Sequence, residues 1–365
     1  MKFSCSKHDL IEAINIVQKA VMAKATLPIL EGIYIEADEE NVKIVGNCFD
    51  LGIECSISAN ITDTGAIVLN SRMFGDIVRK LPDSEVFFQV KDNFIVIIEC
   101  NNAYFEIKCL SAEGYPMLPE VEQDKKISLS QTTFRELIRK TIYAISSDEN
   151  RKILTGCLLE AVNGDFNVVS LDGFRLAVAK TITKEDVNFK AVIPGKNLND
   201  IHKILEQSDE PVKITLSKNQ ALFEMKNCRI ISKLLDGEYM NYRNFIPEQF
   251  ETVITANVKS LTESIERASL ITNDDKRYPV RFVIDDDKMM ITSSADIGIS
   301  KEEIEIETNG ENMKIGFNPK YLLDSLKVIE DEKTTISFSS SIGPSVIKPL
   351  QGDKYIFMVL PVRMS

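Results

Sequence analysis

The chain has 365 residues, 44% hydrophobic and 27% charged, a balance that excludes disordered, collagenous and fibrous classes and allows two to four globular domains. Its 43 Lys and Arg against 55 Asp and Glu leave a formal net charge of -12, so it is not basic all over, but that sum is silent on how the cations are arranged. No run reaches the roughly 18 apolar residues of a membrane helix, and Met1 to Asp9 lack the apolar stretch of a secretory signal, so the chain reads as cytoplasmic with no membrane partner.

Taken in chain order, the first helical pattern lies within Phe3 to Ala20, where Leu10, Ile11, Ile14 and Val17 recur at spacings of three and four. A second helix begins near Ser71 and carries Phe74 and Leu81. Phe94 to Ile98 then turns at Asn101-Asn102 into Phe105 to Leu110, a hairpin signature. Phe134, Leu137, Ile138 and Ile142 mark a third helix, Leu158 to Val162 turns at Asn163-Gly164, and Val192 to Leu205 holds a fourth helical pattern. The last third repeats the scheme, with a helical pattern within Ile254 to Ile271, a hairpin from Phe282 to Ile284 through Asp285-Asp286-Asp287 into Met289 to Thr292, and a helical pattern within Gly316 to Ile329.

An offset of 124 residues, about a third of the length, superimposes these elements. Basic residues recur at Arg72, Lys196 and Lys320 and again at Arg79, Lys203 and Lys327, with aspartates between them at Asp76, Asp200 and Asp324. The segment Phe3 to Ala20 matches Ile127 to Ala144 at the same offset and Ile254 to Ile271 with a slip of three, which aligns Leu10 with Phe134 and Leu261, Glu12 with Glu136 and Glu263, and Ile14 with Ile138 and Ile265. Tyr115 and Tyr239 also lie 124 apart. We therefore read three similar domains, 1–122, 123–248 and 249–365, joined near Pro116 to Lys126 and near Asn241 to Glu251. The class is α+β, each domain having two helices packed on antiparallel sheet.

On the helix near Ser71, residues 72 and 79 lie seven apart and share a side, while Phe74 and Leu81 lie about 200° round from them. Lys196 and Lys203 oppose Leu198 and Leu205 in the same way, as Lys320 and Lys327 oppose Leu322 and Ile329. One such face is ordinary solvated surface. Three equivalent faces of one sign in an acidic chain suggest a common polyanion, met at its phosphates because aromatic residues for base stacking are scarce there and Trp is absent. The intervening aspartates read as surface ion pairs worth roughly a few tenths of a kcal/mol.

Catalytic signatures are missing: nothing resembles a P-loop, a dinucleotide-binding glycine run, H-E-x-x-H or G-x-S-x-G. The seven cysteines, at 5, 48, 55, 100, 109, 157 and 228, include no C-x-x-C pair, and His8 and His202 are the only imidazoles, which argues against structural zinc. An odd, scattered set suits a reducing compartment. Asp285-Asp286-Asp287 reads as turn chemistry and Glu302-Glu303 as charge on a strand edge. The expectation is a binding module with no catalytic residue, no cofactor and no metal.

Five stretches carry a family resemblance: Thr26-Leu27-Pro28-Ile29-Leu30, Leu171 to Ala177 (LDGFRLA), Ser232 to Gly237 (SKLLDG), Gly316-Phe317-Asn318 and Leu360-Pro361-Val362-Arg363. In this order, across essentially the whole chain, they resemble the bacterial DNA polymerase III beta subunit family, the sliding clamps. The resemblance implies a head-to-tail homodimer whose two three-domain subunits close a six-domain ring around duplex DNA, with helices lining the hole. It implies DNA-facing positions at Lys24, Arg72, Arg79, Arg151, Lys152, Lys196 and Lys203, to which the internal repeat adds Lys320 and Lys327.

It further implies a partner-peptide pocket of Leu154, Leu171, Gly173, Phe174, Arg175, Leu176, Met240, Phe245, Leu360, Pro361 and Val362, with Arg363 close by, and a subunit contact of Ile77, Phe105 and Ile107 against Leu270 and Ile271. The implied partners are the replicative DNA polymerase alpha subunit, a clamp loader, repair polymerases and other proteins with short clamp-binding motifs. Phe174, Met240 and Asn244 stand where familiar members carry His, Pro and Arg, so the pocket should be more apolar. Lys152 and Ile153 replace an aromatic pair. Two other classes fit the residues less closely: a carboxylate-dependent nucleic-acid enzyme using the basic faces for substrate, and a protein-only repeat scaffold.

Overall fold

In the computed structural model, which describes residues 1–25, 27–121, 125–271 and 279–363, the helices form where the 3.6-residue pattern places them. They are α1 (Lys7–Val17), α2 (Ser71–Lys80), α3 (Gln131–Arg139), α4 (Gly195–Ile204), α5 (Val258–Ser269) and α6 (Pro319–Leu326). Three start on an asparagine whose side-chain oxygen accepts an otherwise unpaired N–H of the first turn: Asn70 from Met73, Asn257 from Ser260 and Asn318 from Lys320, each at 3.0 Å. At the other end of α2, Leu81 turns to an extended conformation directly before Pro82, which disfavours helix in the residue it follows.

The aligned apolar positions are all inside. Leu10, Phe134 and Leu261, Ile14, Ile138 and Ile265, and Phe74, Leu198 and Leu322 are buried, whereas Arg72, Lys196, Lys320, Arg79, Lys203 and Lys327 are exposed. Opposed faces on one helix follow from this, because burying the apolar side fixes the rotation about the helix axis. Each fully buried Phe or Leu contributes about 1.5–3 kcal/mol, so a helix turned the other way would lose several such terms.

The chain divides into two compact units, one of Met1–Gln131 with Lys203–Leu234, the other of Thr132–His202 with Leu235–Ser365. The first holds a five-stranded sheet in the order Asn60–Asp63, Lys2–Ser6, Glu85–Lys91, Ile95–Cys100, Ala103–Lys108, and a nine-stranded sheet. The nine run Leu110–Ser111, Gly65–Asn70, Gly32–Ala37, Asn41–Asn47, Leu51–Ser58, Cys228–Lys233, Gln220–Met225, Pro211–Leu216, Lys125–Ser130. The second unit has its own nine-stranded sheet, Phe189–Pro194, Gly156–Val162, Asp165–Leu171, Arg175–Ile182, Tyr355–Val359, Ser345–Pro349, Lys333–Phe338, Thr252–Asn257, Glu307–Gly310. Its smaller sheet has four strands, Gly298–Glu305, Lys288–Ala295, Val280–Asp285, Met313–Phe317. All these pairings are antiparallel.

Each nine-stranded sheet therefore continues from one sequence repeat into the next, through Leu51–Ser58 against Cys228–Lys233 in one unit and Arg175–Ile182 against Tyr355–Val359 in the other. Periodicity carries no trace of these joins. The domain border at 122/123, like Thr26 of the first resemblance stretch, lies outside the described residues. Among the described residues no helix is long and apolar enough to cross a membrane.

Candidate nucleic-acid interface and apolar groove

The basic faces are built alike but held by different neighbours. On α2 the Arg72 side chain is 93% exposed with its Nε 4.0 Å from the Asp76 carboxylate, while Arg79 donates to Asp76 at 2.6 Å and to Gln18 Oε1 at 3.1 Å. On α6 Lys320 lies 3.4 Å from Asp324, and Lys327, one residue beyond the helix, pairs with Glu266 of α5 at 2.9 Å. Such exposed pairs add little stability and exchange readily for phosphate. Lys196 and Lys203 stand on the outer side of α4, and Lys24 is exposed on the segment after α1. Arg151 and Lys152 are exposed in the short helical turn Glu149–Thr155, where Asp148 accepts from Arg151 Nε at 3.1 Å.

One aspartate departs from the reading of all three as surface pairs. Asp324 accepts from Arg175 Nη1 at 2.6 Å, and Arg175 is only 8% exposed. The same guanidinium donates to Asp172 Oδ2 at 3.0 Å and to the Tyr143 carbonyl at 2.7 Å, and its carbon lies 4.6 Å from the Tyr321 ring centre and 5.4 Å from that of Tyr143. Asp324 is thus part of a largely desolvated cation site, where a charge-assisted bond is stronger than at the surface. Neither tyrosine carries a sequence signal for this role. Tyr321 follows Lys320 directly, but only the tertiary fold brings it over an arginine 146 positions upstream.

The residues expected in the groove are partly buried and partly exposed. Leu154, Leu171 and Leu176 are buried in one apolar cluster against which Leu360 packs. Phe174 is 56% exposed and stacks on Tyr321 with ring centres 6.2 Å apart, and Met240, Phe245 and Val362 are also exposed apolar side chains. Between Asp165–Leu171 and Arg175–Ile182 the chain turns through Asp172-Gly173-Phe174. Gly173 adopts φ +97°, which side chains rarely tolerate, and Asp172 Oδ1 accepts from the Phe174 and Arg175 N–H groups at 2.8 and 3.0 Å. The Phe174 carbonyl in turn accepts from Leu360 N–H at 2.8 Å, and Val362 N–H donates to Gly316 at 2.9 Å, which fixes the path of Leu360-Pro361-Val362. Arg363 is exposed beside it.

A cleft of about 780 Å³ adjoins this turn, lined among others by Arg151, Phe174, Arg175, Tyr321, Lys320 and Lys327. Residues expected at DNA and residues expected at a partner peptide thus meet on one cleft. Met240, Phe245, Leu154 and Leu360 are not among its lining.

The segment bearing Met240 and Phe245 is anchored by a buried carboxylate. Glu160, 1% exposed, accepts from Tyr242 Oη at 2.9 Å and from Arg243 Nη2 and Nη1 at 2.6 and 3.2 Å, with Lys190 Nζ at 3.2 Å. Burial alone would raise its pKa, but Arg243, Tyr242 and Lys190 outweigh it and hold the carboxyl below the usual glutamate value. A depressed folded-state pKa means that this stabilisation is present above the unfolded value and is lost as pH falls through the folded one. Glu160→Gln is expected to cost about 2 kcal/mol at neutral pH, with the difference from the parent shrinking on acidification below about pH 4. Urea unfolding across a pH series checks this; a difference independent of pH would sink the ion-pair account.

At the proposed subunit contact, Ile77 and Phe105 come together on the wall of a shallow 530 Å³ depression with Arg72, Met73 and Lys80. Ile107 follows two positions on, along the outermost strand Ala103–Lys108. Leu270, 72% exposed, and the half-buried Ile271 follow α5, and a Cβ at Gly298 would lie 4.0 Å from Ile271 Cδ1, beside the outermost strand Gly298–Glu305. The acidic runs serve locally. Asp285 accepts from Asn312 at 2.5 Å, Asp287 from Thr308 N–H at 3.0 Å, and Asp286 sits in the turn at φ +48°. On that outermost strand Glu302 pairs with Arg267 at 2.6 Å and Glu303 with Lys288 at 2.9 Å.

Fold and site together define a three-repeat α+β protein with cationic helix faces and several exposed apolar side chains. Residues 1–119, 128–241 and 243–363 match, in turn, the N-terminal, central and C-terminal domains of the DNA polymerase III beta subunit. The chain is 35% identical over 376 residues to the beta sliding clamp of Bacillus subtilis and 33% identical over 378 residues to that of Halalkalibacterium halodurans, each match covering the whole of both chains. Among solved structures, a putative DNA polymerase III beta subunit from Eubacterium rectale superposes with a TM-score of 0.95 at 37% identity, and the Bacillus subtilis DNA polymerase sliding clamp with 0.96 at 34%, both over the full length of each chain. The chain belongs to the DNA polymerase III beta subunit family.

Proposed function

We propose that, as a sliding clamp of this family, the chain encircles duplex DNA as a head-to-tail homodimer and tethers the replicative DNA polymerase alpha subunit and repair polymerases through its apolar groove. Its role is that of a non-catalytic processivity subunit, acting in the cytoplasm, with a separate ATP-driven clamp loader opening the ring. The observation that carries the DNA reading is the threefold recurrence of exposed cations at one helix position, opposite a buried stripe, in a chain of net charge -12. Dispersed Lys and Arg meet phosphates without reading bases, and contacts of that kind are weak enough to slide along DNA. In this reading Lys24, Arg151 and Lys152 are further DNA-facing cations, and 1–122, 123–248 and 249–365 are the chain's three domains.

Head-to-tail closure is supported by two unlike outermost strands, Ala103–Lys108 with Phe105 and Ile107, and Gly298–Glu305 with Leu270 and Ile271 nearby. Joining unlike surfaces gives a ring when the rotation closes. For the groove, the support is the row of exposed Phe174, Met240, Phe245 and Val362 beside a buried leucine cluster, which suits short motifs with Leu or Phe anchors. Single-particle imaging of the purified protein without DNA tests the proposal. A closed ring of two chains with a hole wide enough for duplex DNA is the expected result, and a solid particle or an open string of domains overturns it.

A further inference from the structure

We propose that Cys55 and Cys228 form a reversible dithiol and disulfide site that staples the first sequence repeat to the second. The two residues are directly opposed on the antiparallel strands Leu51–Ser58 and Cys228–Lys233, the pairing through which the nine-stranded sheet passes from one repeat to the next. Ladder bonds on either side set the type of pair: Ser56 N–H donates to the Asn227 carbonyl and Lys233 N–H to that of Asp50, both at 3.0 Å. Bonded pairs thus fall at even positions of the first strand, and Cys55 with Cys228 is a non-bonded pair. Cα atoms in such pairs are about 4.5 Å apart and their side chains closest. A disulfide spans Cα separations of about 4.4–6.8 Å, so the bridge needs side-chain rotation and no strand movement. Both residues are thiols here.

Access is unequal. Cys55 is buried and Cys228 half-buried, and both line a cavity of about 300 Å³ bounded by Asp9, Glu12 and Ile16 of α1, room enough for a peroxide or one arm of a small disulfide. The neighbouring Cys228 sulfur, toward which Cys55 keeps its proton, and burial both push the Cys55 thiol up, which makes it the poorer first nucleophile. Cys228 therefore reacts first. With hydrogen peroxide its thiolate sulfur bonds to one oxygen as the O–O bond breaks, leaving Cys228 sulfenic acid and, after protonation, water. The Cys55 sulfur then bonds to that of Cys228, the S–O bond breaks, and hydroxide leaves with the Cys55 proton as a second water. Two electrons from the two thiols reduce one peroxide, and a dithiol reductant reverses the change. In a reducing compartment such a bridge forms only transiently, as sensing disulfides do.

The test uses the intact protein, treated with hydrogen peroxide or, separately, with oxidised glutathione, then alkylated and mapped by peptide mass spectrometry. The expected result is a fall in free thiols from seven to five, a single linked pair Cys55 to Cys228, restoration by dithiothreitol, and a higher unfolding midpoint while oxidised, since the bridge closes a loop of more than 170 residues. Recovery of both cysteines alkylated would overturn the proposal, as would Cys228 advancing to sulfinic acid or remaining a glutathione adduct while Cys55 stays alkylatable. Cys55→Ser is expected to stop at a Cys228 sulfenic acid trapped by dimedone; a linkage from Cys228 to any other cysteine would refute the assigned partner.

Discussion

Replacing Arg72, Lys196 and Lys320 together by glutamate is expected to remove most of the affinity for duplex DNA with only a small shift of the unfolding transition. These side chains are exposed, and surface changes of this kind alter stability by about 0.5 kcal/mol or less each. Each phosphate contact contributes about 0.9 to the slope of log affinity against log salt, so losing three should flatten that slope by about 3. The fall in affinity should exceed about tenfold below 0.1 M salt and narrow as screening shortens the reach of the new negative charges. Equilibrium binding of a short duplex across a salt series measures both quantities. An unchanged slope would return the lysines and arginines to plain solvated surface and leave a protein-only scaffold. A loss confined to one DNA sequence would contradict contact through phosphates alone.

Arg175→Ala should have the largest effect on stability, about 3–5 kcal/mol, because it strips a buried cation from Asp172 and Asp324 and leaves the Tyr143 carbonyl without its donor. Arg175→Lys should recover little of this, since a compact ammonium cannot reproduce the guanidinium's planar fork to three acceptors or its contact with the Tyr321 and Tyr143 rings. Peptide capture should fail with it, because Phe174, whose carbonyl holds Leu360, is the residue next in chain. Phe174→Ala separates the two roles. Its exposed ring can be removed with little change in stability, and the expected loss is about tenfold in affinity for a peptide with a Leu or Phe anchor. Chemical unfolding and peptide titration of the three variants give the comparison. Equal loss of stability in Phe174→Ala would mean that the ring stacked on Tyr321 is structural and not part of a binding surface.

The helices, their rotation and the threefold repeat were legible from the chain because burial acts locally and periodically. Leu10, Phe134 and Leu261 had to face inward, so Arg72, Lys196 and Lys320 on the companion helices had to be sought on the opposite side of Phe74, Leu198 and Leu322. The hairpins at Asn163-Gly164 and Asp285 to Asp287 were equally local, since turn residues declare themselves by the backbone angles they permit. The asparagine caps also recur, Asn70 and Asn318 lying two repeat lengths apart, so this signal too is carried by the repeat.

Contacts between distant segments were not legible. Asp324 looked like a helix-surface partner for Lys320 because i, i+4 spacing is visible in sequence, whereas Arg175 and Tyr143 reach it only through strand pairing between Arg175–Ile182 and Tyr355–Val359. Cys55 and Cys228 carried no mutual signal for the same reason. Periodicity determines which face of an element is buried, but not which partner covers it. That choice was made by tertiary packing, where strand order, register and desolvation of a few charges are settled together.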